Sequence, residues 1–250
     1  GANYIGGILG LCLLCAIYAI NHEPNAKKKI RLSAMAGVVG IALLYSLSKT
    51  AILAFLLAAF VFFIVSKKGL RVKLRAFGLI ILVGAAAFFY LADYLDIYFS
   101  QAQDGEALES LSGRTFIWLE TIDAVWDEPY FGFGVRSFAD YGPQIANVQL
   151  VHAHNEILQT IFAYGVVGLT FLLGSYVLFM KRVFTLYAIS KDKSQAAFGA
   201  AILTFALLRG ITEAHDAAIV LPIHIFFLLC LWNANTDRNN PVSRFSAGVM

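Results

Sequence analysis

Long apolar runs separated by short cation-bearing loops leave this chain few ways to fold. About 20 consecutive, mostly apolar residues span the hydrocarbon core of a bilayer as a helix. Seven such runs occur, at residues 4–20, 32–47, 51–65, 76–92, 157–180, 196–211 and 218–232. The third is short and follows the second closely enough to continue from it through a tight turn. Only 14% of the 250 residues are charged and 59% are hydrophobic. A soluble domain carries about 25% charged residues, so the composition excludes that class and predicts an all-α, polytopic transmembrane bundle.

The charges give the bundle its direction. Fifteen of the nineteen Lys and Arg lie in four segments. Lys27, Lys28, Lys29 and Arg31 separate the first two runs, and Lys67, Lys68, Arg71, Lys73 and Arg75 the third and fourth. Lys181, Arg182, Lys191 and Lys193 separate the fifth and sixth, and Arg238 and Arg244 lie in the tail. These segments alternate with three that are poor in cations, as seven consecutive spans require. Membrane proteins keep Lys and Arg on the cytoplasmic side, which predicts an external N-terminus and an internal C-terminus. The chain begins at Gly1, without Met or a signal peptide, directly in apolar sequence; we expect further helices upstream. Three regions are expected: helices one to four over 1–92, a large external loop over 93–153, and helices five to seven with a cytoplasmic tail over 154–250.

Lys49, Arg114, Arg136 and Arg209 fall on the other side, together with His154. Cations left outside need a reason, and an anionic, membrane-borne substrate supplies one. The long loop carries ten carboxylates against Arg114 and Arg136, and loops of this length tend to be functional. Within it Phe116, Ile117, Leu119, Ile122, Val125 and Trp126 recur at helical spacing. Ser112 is placed to cap that helix, Trp118 and Trp126 to lie at the interface, and Pro129 to stop it. Gly132, Gly134 and Gly142 make the return rich in turns.

Each candidate has a functional and a structural reading. His154 can exchange a proton near neutral pH, or simply cap or snorkel. Asn155 can bind a substrate or cap the helix. Arg114 can bond phosphate oxygens, or pair with Glu109, Glu120 or another loop carboxylate. Arg209 and Glu213, four apart at the end of the sixth run, can serve a site or lock helices together. Lys49 can bind an anion or snorkel from a helix end, and Arg136 has the same two readings. His152 and His154 would share a face of a strand and could hold zinc, but helix onset at His154 would spoil that arrangement. Cys12 and Cys15 read as packing or lipid-facing thiols, and Gly165, Gly168 and Gly174 as sites of close helix approach. Phosphate-binding glycine loops and Gly-x-Ser-x-Gly elbows are absent, so nucleotide hydrolysis and serine-esterase chemistry have no support.

His154-Asn155, nine residues, then Gly165-Val166-Val167-Gly168 resembles the signature of O-antigen ligases. Gly113-Arg114, three residues, Trp118, followed by Pro129-x-x-Gly132-x-Gly134, is similar to a run in the same superfamily, which also holds O-antigen and exopolysaccharide polymerases. Asn3 resembles its Asn-rich helix entry and Ser46–Ala51 its Ser-Arg turn, with Lys49 where the family has Arg; Lys supplies a point charge without the two-pronged fork. The resemblance implies a GT-C-like glycosyltransferase of the bacterial inner membrane with a periplasmic active face. It implies an undecaprenyl-pyrophosphate-linked glycan as donor, lipid A–core or a growing polysaccharide as acceptor, membrane lipids as surroundings, and no nucleic acid or cofactor. Catalytic roles then fall to His154 and Arg114; the topology, which puts Lys49, Arg209, Asn155, Glu213 and Arg136 on the same side, adds substrate-binding roles for these five, Arg136 without a family counterpart, and no metal is expected. A transporter or flippase is the reading from another class; it calls for polar residues deep in several spans, and these runs are almost purely apolar.

Overall fold

The computed structural model describes residues 2–66, 69, 74, 77–78, 82, 114–141, 144–145, 148–149, 152–191 and 193–214. Most of the fourth apolar run, the seventh run, Ser112, Gly142, the C-terminal tail and all five cations of the second cationic segment lie outside these residues. The described elements are α1 (Ala2–His22), α2 (Ala26–Tyr45), α3 (Lys49–Val65), α4 (Arg114–Val125), α5 (Phe138–Tyr141), α6 (Glu156–Ile189) and α7 (Ser194–Thr212). A two-residue antiparallel ribbon, β1 (Gln144–Ile145) with β2 (Val148–Gln149), adds to the expected helical loop.

Three described helices have the length and apolarity to cross a membrane: α1, α6 and α7, with α3 a shorter apolar helix. The second run is helical as expected, but α2 opens with Lys27, Lys28, Lys29 and Arg31, which shortens its apolar part. Asn25 caps it by accepting from the backbone N–H groups of Lys27 and Lys28. The turn between α2 and α3 is tight, with Leu47 held at a φ of 54°.

Small side chains set the packing. Ala54, Ala58 and Ala59 of α3 and Ala197, Ala201 and Ala206 of α7 are buried where these helices meet, as close approach in a membrane requires. Gly10 of α1 joins them, since a Cβ there would sit 2.8 Å from the Phe205 ring. Leu14, Phe62, Phe179 and Phe205 fill the space between α1, α3, α6 and α7. Two polar ties fix α1 antiparallel to α7. Asn3 Nδ2 donates to Glu213 at one end, and His22 Nε2 meets Ser194 Oγ at 2.7 Å at the other. The roughly 20 residues between these ties rise about 30 Å, the thickness of a bilayer core.

The fifth run departs from the expectation of one continuous span. Tyr176 donates a 2.7 Å hydrogen bond to Glu156, twenty residues earlier. In a straight helix those positions stand about 30 Å apart, far beyond the reach of two side chains. The helix therefore folds back on itself. The break is Gly165, at φ 64° and ψ −165°, a region open essentially to glycine alone. A short arm, residues 156–164, thus lies back against a long arm, residues 166–189. The long arm alone rises about 36 Å, enough to span. Gly165 is a hinge in the chain path, and Gly174 has open space where a Cβ would stand; neither is the close helix contact that their spacing suggested.

Candidate functional site

The reversal at Gly165 leaves backbone groups without helical partners, and the loop after α4 takes them up. Phe133 and Gly134 donate to the carbonyls of Phe162 and Ala163, while Val166 and Val167 donate to those of Pro129 and Tyr130. The two segments meet too closely for side chains. A Cβ on Gly132 would lie 2.5 Å from the Phe162 carbonyl, and one on Gly165 2.2 Å from the Tyr130 backbone. The Pro-x-x-Gly-x-Gly run and the glycine eleven residues after His154 are therefore two halves of one joint. Gly168 leaves room for the Tyr164 side chain.

The joint sets where His154 lies. The short arm is about 13 Å long and carries its N-terminus back to the end of α7. Asn155 caps that arm by accepting from the backbone N–H groups of Ile157 and Leu158, and its Nδ2 donates to the Ile211 carbonyl. Below it, Glu156 is buried against Gly210, whose missing side chain makes the space. From the other side Trp118 Nε1 donates to the Ala153 carbonyl, and the Gln159 side chain accepts from the Ala153 N–H. Ile117, Val125, Phe138, Ala153 and Phe162 bury the contact between α4 and the short arm. Helix α4 forms where periodicity placed it, though it ends at Val125, before Pro129. Trp126, just past its end, is largely exposed, and Trp118 within it is half-buried.

Glu213 is the meeting point of this end of the bundle. It is 8% exposed and follows the last residue of α7, its N–H closing on the Arg209 carbonyl. Its Oε1 faces two imidazoles, His154 Nδ1 at 3.4 Å and His152 Nε2 at 3.9 Å. Its Oε2 accepts from Asn3 Nδ2 at 2.9 Å and lies 4.0 Å from Arg114 Nη2. Burial alone would push the Glu213 carboxyl up. The contact with His154 and the charges of His154, Arg209 and His152 outweigh it and hold the group below its usual range, so it is anionic at neutral pH.

Arg114 also donates to the Thr212 carbonyl at 2.7 Å. Among the described residues its partners are thus Glu213 and the end of α7. Arg209 is 2% exposed, and donates to Thr50 Oγ1 at 2.8 Å and the Asn3 carbonyl at 2.9 Å. A charge in a span costs about 2.5–3.5 kcal/mol; these bonds offset that cost and join α1, α3 and α7. Ser48 donates to Asn3 Oδ1, so the turn carrying Lys49 belongs to the same network, with Lys49 itself exposed beside buried Ser48. The structure therefore gathers Lys49, Arg114, His154, Asn155, Arg209 and Glu213 at one end. Arg136 is exposed, at φ 61°, and no hydrogen bond or ion pair among the described residues joins it to them.

His154 is not helical. It lies before the cap of the short arm, at φ 51°, a conformation that costs about 1–3 kcal/mol and persists where surroundings impose it. The rings of His152 and His154 stand edge to face, 4.0 Å apart, so helix onset does not separate them. His152, His154 and Glu213 offer donor atoms within 4.8 Å of one another. The His154 N–H donates to His152 Nδ1 at 3.3 Å, which leaves the proton of a neutral His152 on Nε2, toward Glu213. Arg114 and Asn3 occupy the far side of the same carboxylate.

Sequence reasoning assigned Glu213 to substrate and gave Asn3 only a weak motif match. It did not identify Trp118, Thr50, Ser48 or Gln159 as supports. The Trp in the Arg-x-x-x-Trp run was the available signal for one of them.

The family model described as O-antigen ligase matches residues 32–173, more than half of the chain. The chain belongs to the O-antigen ligase family. No curated protein matches it. The matched region of this O-antigen ligase family member holds Lys49, Arg114, the Gly132–Gly165 joint and His154. It ends before Arg209 and Glu213 and begins after Asn3. Membership gives the coarse activity, a ligase- or polymerase-type transfer of lipid-linked glycan by a membrane protein.

Proposed function

We propose that this protein transfers a glycan from undecaprenyl pyrophosphate to an acceptor sugar hydroxyl at the outer face of the bacterial inner membrane. We assign it as an O-antigen ligase with lipid A–core as acceptor. The observation that carries the reading is the sharing of one buried carboxylate by His154 and Arg114, residues that belong to two separate family motifs. His154 takes the proton of the acceptor hydroxyl as its oxygen attacks the anomeric carbon. Arg114 and Lys49 stabilise the charge that grows on the departing diphosphate. Two guanidinium or ammonium groups supply that charge without a divalent metal. The bond to the diphosphate is already activated, so the reaction runs without a nucleotide. Holding both lipid-borne substrates in one plane supplies much of the acceleration. Arg209, buried where its bonds join α1, α3 and α7, serves as support behind the diphosphate-holding groups.

Membranes containing the protein, given a labelled lipid-linked glycan with lipid A–core and free glycan acceptors in competition, test the assignment. Label on lipid A–core is the expected product. Ladders of repeat units would make the protein a polymerase, and no transfer to either would overturn the reading.

A further inference from the structure

Glu213 lies beyond the part of the chain that carries the family match, and the proposed mechanism leaves it without a part in the proton transfer. We propose that Glu213 is the positioning residue of His154. It holds the ring by Nδ1, turns Nε2 to the acceptor hydroxyl, and stays anionic opposite the imidazolium that forms. The inference rests on the reading of His154 as the base.

Three observations carry it. First, His154 Nδ1 is buried, has no hydrogen-bond partner among the described residues and faces Glu213 Oε1 at 3.4 Å, yet the side chain keeps 28% of its surface exposed. The accessible edge of the ring is therefore the one opposite Nδ1, and Nε2 is the nitrogen a substrate can meet. Second, the two oxygens of Glu213 have separate duties. Oε1 serves the imidazoles, while Asn3 at 2.9 Å and Arg114 at 4.0 Å hold Oε2. A carboxylate gripped from behind has little freedom to rotate, and it fixes the tautomer of the ring in front. Third, the chain is built to keep the pair together. His154 sits in a left-handed conformation before a capped arm, and Glu213 follows a helix tied to α1 and α3 through Arg209.

In the step itself, neutral His154 carries its proton on Nδ1, toward Glu213. Nε2 takes the hydroxyl proton while the acceptor oxygen bonds to the anomeric carbon. The bond from that carbon to the diphosphate oxygen breaks, and the diphosphate leaves with the electron pair. The imidazolium then rests between Glu213 and the product, and later returns its proton to the diphosphate or to water. His152, whose Nε2 faces the same oxygen from 3.9 Å, helps keep that oxygen charged.

Initial rates in proteoliposomes, across a range of lipid-linked glycan, separate positioning from substrate binding. Glu213→Gln is expected to lower kcat about 10²-fold or more, as losing the orienting carboxylate does in other His-centred sites, with KM for the glycan lipid unchanged. Glu213→Asp is expected to recover part of the loss. Adding Glu213→Gln to His154→Ala should cost nothing further, because residues acting as one unit are not additive. Normal kcat in Glu213→Gln, a raised KM at unchanged kcat, or an additive double variant would each overturn the positioning role while leaving His154 as base. Full transfer by His154→Ala would instead remove the reading beneath it. Melting of the purified variants in detergent separates misfolding from these outcomes, and Glu213→Asp keeps the test open if Glu213→Gln fails to fold.

Discussion

At the scale of single residues, the site is a set of cations organised by one carboxylate. Arg114 spends one nitrogen on the Thr212 carbonyl and brings another to 4.0 Å from Glu213, and its side chain remains 20% exposed. That exposure leaves part of a planar fork free for a diphosphate, a geometry that Lys cannot reproduce. Arg114→Lys is therefore expected to lower kcat/KM about tenfold or more despite keeping the charge, the equivalent of one charge-assisted hydrogen bond. Initial rates with the lipid-linked glycan check this; an unchanged rate would reduce Arg114 to a point charge. His154 and Arg114 were legible in the sequence because they sit in spaced motifs. The hub role of Glu213 was not, since its partners come from α1, the α4 loop and the short arm. Only folding brings positions 3, 114, 154 and 213 together.

At the scale of elements, the reversal in α6 is the device that builds the site. Apolar periodicity marks residues 157–180 as one span, because hydropathy reports burial in lipid and is blind to φ. Glycine is also common in membrane helices, so Gly165 gave no warning by its identity. The nine-residue spacing between Asn155 and Gly165 acquires a physical meaning in the fold: it is the length of the arm that returns His154 to α7. Gly165→Ala places a Cβ 2.2 Å from the Tyr130 backbone at a φ of 64°. Such a change is expected to cost about 3 kcal/mol or more and to abolish transfer by moving His154 away from Glu213. A melting temperature and activity both close to wild type would contradict the hairpin. Helix α4 was better read from sequence, since Ile117 and Val125 face the core as their spacing implied. Its Leu119 and Ile122, and Trp126 just beyond it, are exposed, which periodicity alone does not distinguish.

At the scale of the whole molecule, alternating cationic loops and apolar runs foretold which helix ends gather together. The described helices agree: Asn3, the α2–α3 turn, Thr212 and His154 meet at one end, while His22 and Ser194 meet at the other. Lys27, Lys28, Lys29 and Lys193 accompany the second end in the chain. This segregation follows from two simple costs, burying charge in lipid and carrying Lys or Arg across it, so composition encodes it strongly. Close packing through Ala and Gly is encoded too, but which small residue meets which helix is settled only by the three-dimensional fit. Arg136 shows the limit: the same topology that placed it with the other external cations gave no measure of its distance from them.

The account stands on His154 acting as a base within this assembled end. Its most direct measure is transfer of labelled glycan by membranes carrying His154→Ala at wild-type protein level. Loss of at least about 10²-fold in kcat, as removal of a general base entails, with the glycan lipid still bound and the protein still inserted, is the predicted result. Transfer at the wild-type rate would contradict it.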